Sequence, residues 1–350
     1  MKIKKRILAR LPRVYSIAVV PPRNRGELPS IVAGSEGNDA LLYFDPPDFT
    51  PRLLASSPGG FISLLPWRRK DRRCLLVSAD FKPGFKAERS RILLFDLDRP
   101  MPSDGQELMI VPFLHRLELL DGNGSDHLIL STLCSGKKNR EDWSQPGGIE
   151  VSAVPAPGEA ASPRHLLKTG LTKNHGLAPL PADGPLGRGF LISAENGLFR
   201  LDASGPAPEQ WSVELLIDGP HSDASSCDWD GSGQAQIFAI TPFHGNRLVY
   251  HRSNGRGWDT VAIADDLARG HILWAGAFPV APAVVTGSRD GRKEIRVYRR
   301  VAQNPLFFRP EIIDTGVSPT QIAVAAHGDT MLLFVAAQGE EEVLLYEIAV

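Results

Sequence analysis

The sequence predicts an all-β protein, specifically a β-propeller of seven four-stranded blades. One pattern recurs about seven times at a spacing of roughly 50 residues, which is in the range of propeller repeats. Each copy contains three short runs rich in Ile, Val, Leu, Phe and Tyr, followed by a more polar fourth run, and Gly/Asp/Asn turns separate the runs. Stretches with helical periodicity are nearly absent, so sheets are expected throughout.

The repeats are clearest where a histidine precedes the first strand. "KNHGLAPL", "GPHSDASS" and "RGHILWAG" contain His175, His221 and His271, and "RVYSIAVV" has Tyr15 in the corresponding place. Weaker copies begin at Phe61, Phe113 and Thr320. We therefore predict a single propeller domain over residues 1–350, with blades that start near residues 15, 61, 113, 175, 221, 271 and 320.

The two ends of the sequence predict how the ring closes. The last repeat stops after its third run, "EEVLLYEIAV", and the first repeat is preceded by an isolated run, "KKRILARL". An N-terminal strand that completes the last blade leaves no open sheet edge between the first and last blades. We expect residues 4–11 to pair with residues 343–348.

Composition limits the expected partners and location. The 350 residues carry a formal net charge of -1, so neither nucleic acid nor an anionic membrane is an expected partner. No apolar run approaches the length of a transmembrane helix, and the basic N-terminus lacks the apolar core of a signal peptide. The 3 cysteines are odd in number and far apart, which predicts reduced thiols. Together these features predict a cytoplasmic protein.

The acidic turns add a family resemblance. The turns "DWDGSG" and "DGNGSD", together with the strand ends "IVAGSEG" and "VVTGSRDG", resemble the degenerate repeats of FG-GAP/VCBS-type propellers over nearly the whole chain. Most of the turns here lack the alternating aspartates of that family, as in "PWRRKDRR". We therefore do not expect calcium at these turns.

Blade geometry assigns the histidines to one mouth of the central channel. The residue that begins each innermost strand rings that mouth, so His175, His221 and His271 would converge from three successive blades. His115 falls two residues after its own ring position and would face the channel one step deeper. Three imidazoles with open positions are typical of a catalytic metal site, with zinc or manganese as the expected cofactor. Alternatively, each histidine hydrogen-bonds a neighbouring blade, or the ring binds a ligand without metal.

The turns between the second and third strands of each blade surround the same mouth. They carry polar side chains suited to a polyhydroxylated or anionic small molecule. His244 is the strongest catalytic candidate, as a general base or a further ligand, and Tyr15 is the second. Candidate substrate-binding residues are Lys137, Lys138, Arg140, Trp143, Glu195, Asn196 and Arg289. Residues 137–148 form the longest insertion and should protrude from this face.

Two functions fit this arrangement. The first is a metal-dependent carbon–oxygen lyase or dehydratase acting on a sugar or sugar acid by β-elimination. Here the chain resembles propeller lyases such as the propeller part of aldos-2-ulose dehydratase, and oligogalacturonate lyase also has a His-rich metal site. The resemblance implies that His175, His221 and His271 bind metal and that His244 or Tyr15 moves the proton. The second is a non-catalytic propeller that binds a protein or glycan on the same face.

Overall fold

The computed structural model shows seven four-stranded antiparallel sheets arranged in a ring, as predicted. It describes residues 2–24, 26–38, 40–69, 71–121, 126–155, 159, 162–278, 281–301 and 304–349. Within those ranges the one helical element is a 3-10 turn, Pro208–Gln210. Residues 122–125 of the acidic turn "DGNGSD" lie outside the described part of the chain.

The strands run outward from the channel in sequence order. The first blade contains β2 (Val14–Val20), β3 (Ser30–Ser35), β4 (Leu41–Asp45) and β5 (Thr50–Ala55). The second contains β6 (Ser63–Arg69), β7 (Arg72–Ala79), β8 (Arg91–Asp96) and β9 (Gln106–Ile110). The third contains β10 (Leu114–Leu120), β11 (His127–Cys134), β12 (Pro146–Ala153) and β13 (His165–Leu171). The fourth contains β14 (Gly176–Pro179), β15 (Gly189–Ala194), β16 (Gly197–Asp202) and β17 (Ser212–Ile217).

The remaining blades follow the same order. The fifth contains β18 (Asp223–Ser226), β19 (Gln236–Thr241), β20 (Arg247–Ser253) and β21 (Trp258–Ala264). The sixth contains β22 (Gly270–Phe278), β23 (Ala281–Ser288), β24 (Ile295–Val301) and β25 (Asn304–Asp314). The seventh contains β26 (Pro319–His327), β27 (Thr330–Ala337) and β28 (Glu342–Ala349), completed by β1 (Lys2–Arg10). Every innermost strand starts within two residues of its predicted position.

The N-terminal strand closes the ring. β1 pairs with β28 from Lys2 opposite Ala349 to Arg10 opposite Glu342. The innermost strands of neighbouring blades contact one another all the way around, including β26 with β2. The expected pairing of the chain ends is therefore confirmed, and the fourth strand of the seventh blade comes from the opposite end of the chain.

The hydrophobic core is divided into layers between adjacent blades. β7 and β27 are apolar on both faces and almost fully buried, because each lies in a sheet covered by two neighbouring sheets. Among the described residues, one buried apolar cluster joins the last blade to the first through Phe334 and Phe44, and another joins the sixth to the seventh through Val297 and Leu333. This packing holds the start of every innermost strand in place at the channel mouth.

Candidate functional site

Two of the ring histidines lie where the repeat predicts. His175 immediately precedes β14, and its backbone N–H donates to the Ser193 carbonyl of the next strand at 3.0 Å. His271 is the second residue of β22. Both side chains are only 2% exposed, although they stand at the mouth of the channel.

These histidines use one ring nitrogen to bridge to the next blade. Nδ1 of His175 lies 3.0 Å from Asp223 Oδ2, and Nδ1 of His271 lies 2.8 Å from the Thr320 carbonyl. His115 follows the same rule, because its Nδ1 lies 3.1 Å from the His175 carbonyl. Donation from Nδ1 leaves Nε2 of each ring as the lone-pair nitrogen. The two interpretations of the ring, blade bridging and ligand binding, are therefore compatible in one side chain.

His244 enters the same cluster from the turn between β19 and β20. It has a left-handed backbone with φ 47, and Gly245 follows in a tight turn where a Cβ atom would lie 2.3 Å from the Thr241 carbonyl oxygen. This turn projects the imidazole over the channel, with its Nε2 3.3 Å from Nε2 of His175. The ring centroids of His244 and His271 are 4.7 Å apart.

His175, His244 and His271 together form the candidate metal centre. One ligand nitrogen from each lies within 4.8 Å of the other two. Zinc–nitrogen bonds of about 2.0–2.1 Å place two ligands of a tetrahedral ion about 3.3 Å apart, which matches the His175–His244 separation. The widest pair exceeds that separation, so a bound ion would draw the rings slightly closer. The donor set and spacing thus fit a three-histidine site.

His221 is not part of this cluster, which corrects its predicted role as a ligand. In the fifth blade the backbone N–H of Ser222, and not that of His221, makes the bond to the second strand that His175 makes in the fourth blade. A shift of one residue along a strand reverses the side-chain direction. His221 therefore points to the side opposite to that of His175, and its Nε2 lies 3.3 Å from Nε2 of His251.

Asp223 supplies the carboxylate that the predicted ring lacked. It lies two residues beyond His221, accepts from Nδ1 of His175, and also accepts from the Ser222 hydroxyl at 3.0 Å. Carboxylates in this position fix the tautomer and orientation of metal-binding imidazoles. No sequence pattern marked it, because its role depends on the position of His175 in the neighbouring blade.

Burial favours the neutral form of three imidazoles at the site. It lowers the pKa of His244 to about 2, and it holds the pKa values of His115 and His271 well below their usual range. Burial alone would raise the pKa of Asp223, but the neighbouring His175 outweighs it and the pKa is lowered. His244 and His271 therefore offer unprotonated nitrogens close to an ionised carboxylate, as metal binding requires.

The remaining predicted residues are spread over the same face. Tyr15 is buried and contacts His271 edge-on, with ring centroids 5.8 Å apart, and burial raises the pKa of its hydroxyl to about 12. Arg289 donates to Gln338 and is close enough to act electrostatically on His244 and His271. Glu195 forms an ion pair with Lys173 at 3.2 Å, and Asn196 caps the neighbouring backbone at Gly170 and Thr172. Glu195 and Asn196 thus stabilise their own turn.

The third-blade insertion approaches the cluster through one aromatic side chain. Trp143 contacts Phe243, which packs against His175 with ring centroids 5.4 Å apart. The ammonium of Lys137 lies 3.4 Å from the Trp143 ring centroid and fixes it on one side. Lys138 and Arg140 are exposed and make no contact with the histidines. The insertion lies on the site face, and its mobility stays a prediction.

A polar cavity lies directly behind the cluster. It occupies about 410 Å³ of the channel, and His271 and Asp223 form part of its wall. Arg116 and Glu118, both on β10, line it further along. Neither residue was selected from the sequence, because an Arg and a Glu in a short strand carry no motif. The cavity provides space for a small polar molecule beside the imidazoles.

The buried contact between His221 and His251 predicts that the folded protein loses stability in acid. Burial lowers the pKa of His221 and that of His251, the latter to about 3. Below about pH 6.5 these two imidazoles bind protons in the unfolded chain but stay unprotonated in the folded protein. The free energy of unfolding therefore falls as the pH drops toward 3. At pH 5 His251 alone accounts for about 2 kcal/mol of this loss. Urea unfolding at pH 7.5 and 5.0 measures it, and His251→Gln should reduce the difference by that amount. An undiminished difference in the variant contradicts the assignment.

Comparison with known proteins identifies the fold and no family. No protein family model matches the chain, and no curated protein does. The match to Kuenenia stuttgartiensis hydrazine synthase covers 97% of this chain and 97% of that chain, with a TM-score of 0.64 and 9% identity. The RRP9 WD40 repeats match 99% of each chain, with a TM-score of 0.60 and 10% identity. The match to a protein from Bacteroides uniformis, provisionally assigned as a 6-phosphogluconolactonase, covers 92% of this chain and 91% of that chain. Its TM-score is 0.53 and its identity 10%.

The chain is a seven-bladed β-propeller. At such low identity these neighbours support the propeller architecture alone, since one propeller scaffold carries many unrelated functions. The FG-GAP/VCBS resemblance therefore has no independent support from them. Among the described residues there is also no helix of the length and apolar character needed to cross a bilayer.

Proposed function

We propose that this propeller is a metal-dependent lyase that acts on a sugar or sugar acid at the channel mouth. The observation that carries the proposal is the convergence of His175, His244 and His271 within 4.8 Å. Nδ1 bonds to the next blade hold the rings of His175 and His271 before any ion binds. Such preorganisation is typical of functional metal sites.

The three histidines would hold a divalent ion, with zinc or manganese as the candidates. When bound, this ion supplies Lewis acidity that polarises a carbonyl or carboxylate next to the proton to be removed. Three protein ligands leave coordination positions open for substrate, which is characteristic of catalytic sites. Asp223 contributes by holding the His175 tautomer.

His115 replaces His244 as the proposed general base, because His244 belongs to the ligand set. Its ring centroid lies 4.6 Å from that of His175, and its Nδ1 faces the His175 carbonyl. Nε2 is therefore its free basic nitrogen, and burial keeps this ring neutral at pH 7. In β-elimination the substrate C–H proton would pass to Nε2 of His115.

Tyr15 is the proposed proton donor to the leaving hydroxyl. Its pKa of about 12 keeps the phenol protonated at neutral pH. Its contact with His271 places it beside the ligand cluster, on the side opposite His115 and His175 in blade order. As the C–O bond breaks, the oxygen would take the bonding electrons and the Tyr15 proton and leave as water.

One of the reported neighbours has a name from a sugar-related class. The Bacteroides uniformis neighbour is named for activity on a phosphogluconolactone, a sugar derivative, yet it shares only 10% identity with this chain. The stronger support is local: a polar channel cavity of about 410 Å³ lies beside the neutral imidazole of His271.

The decisive experiment combines metal content with an elimination assay. Purified protein is analysed for bound transition metals, then assayed on a panel of uronates, aldonates and neutral sugars for a conjugated carbonyl product by its ultraviolet absorbance. We expect about one ion per chain and activity lost with a chelator and restored by zinc or manganese. Folded protein that binds no added metal would contradict the proposal and favour the non-catalytic binder.

His115→Asn tests the proposed base separately from the metal. The asparagine amide can still donate to the His175 carbonyl, while the basic Nε2 is removed. We expect metal content to remain at the wild-type level and kcat to fall about 10²- to 10⁴-fold, the usual contribution of general base catalysis. Unchanged kcat with normal metal content would remove His115 from the mechanism.

A further inference from the structure

A charged side chain in the channel, that of Arg116, has no hydrogen-bonding or ionic partner among the described residues. Arg116 lines the cavity behind the histidine cluster and is partly buried. Its guanidinium makes no hydrogen bond and no ion pair with any residue in the described ranges, whereas that of Arg296, a partly buried arginine of the sixth blade, bonds to two carboxylates. A guanidinium in a confined cavity is most stable beside an anion.

Arg116 is also close to the reactive groups. Its charge acts electrostatically on Tyr15, His115, Asp223 and His271, which surround the proposed reaction centre. The β10 strand carries both His115 and Arg116, so the position of the guanidinium relative to the proposed base is fixed by one rigid element. An anion held at Arg116 would therefore lie within reach of the cluster.

The acidic groups of the same cavity limit the charge of that anion. Asp223 lines the wall of the cavity, and so does Glu118, which lies two residues after Arg116. Burial raises the pKa of Glu118 to about 7, so it carries partial negative charge near neutral pH. One guanidinium facing two acidic groups suits a singly charged, planar carboxylate, which pairs with arginine through two parallel hydrogen bonds. A phosphate dianion would meet more repulsion.

We propose that Arg116 binds the carboxylate of the substrate inside the channel, so that the preferred substrates are sugar acids and not neutral sugars. This inference extends the proposed lyase function and rests on it, because the bound carboxylate is a substrate only if the protein is that enzyme. It also moves anion recognition from the surface residues Lys137, Lys138 and Arg140 to the channel. Arg289 remains near the cluster, but its guanidinium already donates to Gln338.

Ligand binding to metal-free protein tests the assignment. Saturation-transfer NMR titrations of acetate, D-galacturonate, D-galactose and inorganic phosphate are run with a chelator at pH 7.5 and constant ionic strength. We expect both carboxylates to bind wild-type protein more tightly than galactose or phosphate. Arg116→Gln should weaken carboxylate binding about 10- to 100-fold, the loss expected for charge-assisted hydrogen bonds. Arg256→Gln, which changes an exposed arginine in the turn between β20 and β21, should leave binding unchanged.

The outcomes separate the inference from the proposed function. Carboxylate binding that depends on Arg116 in a protein that never binds metal would support the channel site and remove the lyase. Normal metal binding with no carboxylate bound at tens of millimolar, or equal affinity in Arg116→Gln and wild type, would overturn the channel site alone. Tighter binding of phosphate than of either carboxylate would also overturn it. Arg116→Lys should recover only part of the affinity, because a lysine cannot pair bidentately.

Discussion

Replacing His271 by asparagine is expected to abolish stoichiometric metal binding while leaving the fold intact. The asparagine amide can take over the bond from Nδ1 to the Thr320 carbonyl, which is 2.8 Å long in the wild type. It removes Nε2, the nitrogen directed at His175 and His244. Because only two protein ligands remain, we expect affinity for zinc to fall at least about 100-fold, more than the loss of an orienting partner produces. Competition with a chromophoric chelator measures this affinity.

Two further variants separate the roles of Nδ1 and Nε2 of His271. His271→Ala loses both, so it should lose the metal and also show a lower urea midpoint than His271→Asn. The unsatisfied Thr320 carbonyl accounts for about 1–3 kcal/mol of that difference. His221→Asn changes a histidine outside the cluster and should retain wild-type metal affinity. Equal metal affinity in His271→Asn and wild type would exclude the three-histidine centre.

Deleting residues 2–10 is expected to destroy the native ring. These residues form β1, the outer strand of the seventh blade, and they pair with β28 along its length. Without them the N–H and C=O groups of β28 form an open edge, and the buried face of Leu345 loses cover from Leu8 and Ala9. We expect insoluble protein, or a chain that unfolds at a much lower urea concentration than wild type.

A circular permutant provides the matched control for this deletion. Lys2 lies opposite Ala349, so a short turn can join the two ends and place β1 after β28 in the chain. This permutant contains the same strands with a different order and should regain most of the wild-type urea midpoint. A deleted chain as stable as wild type would show that the ring does not depend on closure by β1.

The sequence by itself determined the fold, because the fold depends on a pattern. The repeated apolar runs specify strands, and the order of these strands specifies blades. Neither depends on which apolar residue occupies a given position. The two incomplete end repeats specified the closure by β1 in the same way. The places of His175 and His271 also followed, since both lie at the start of an innermost strand.

Only the tertiary structure decided which side chains meet. His221 is one residue out of register with His175, and a single-residue shift turns a strand side chain to the opposite side, so sequence similarity misplaced it. His244 joined the cluster because a turn with φ 47 directs it over the channel, a conformation that its residue type does not reveal. Asp223 and Arg116 became visible only when the ring brought β18 and β10 to one cavity. Sequence patterns report on neighbouring residues, whereas a site is formed by side chains that are far apart in the sequence. The directions of those side chains are set by strand register and by turn conformation.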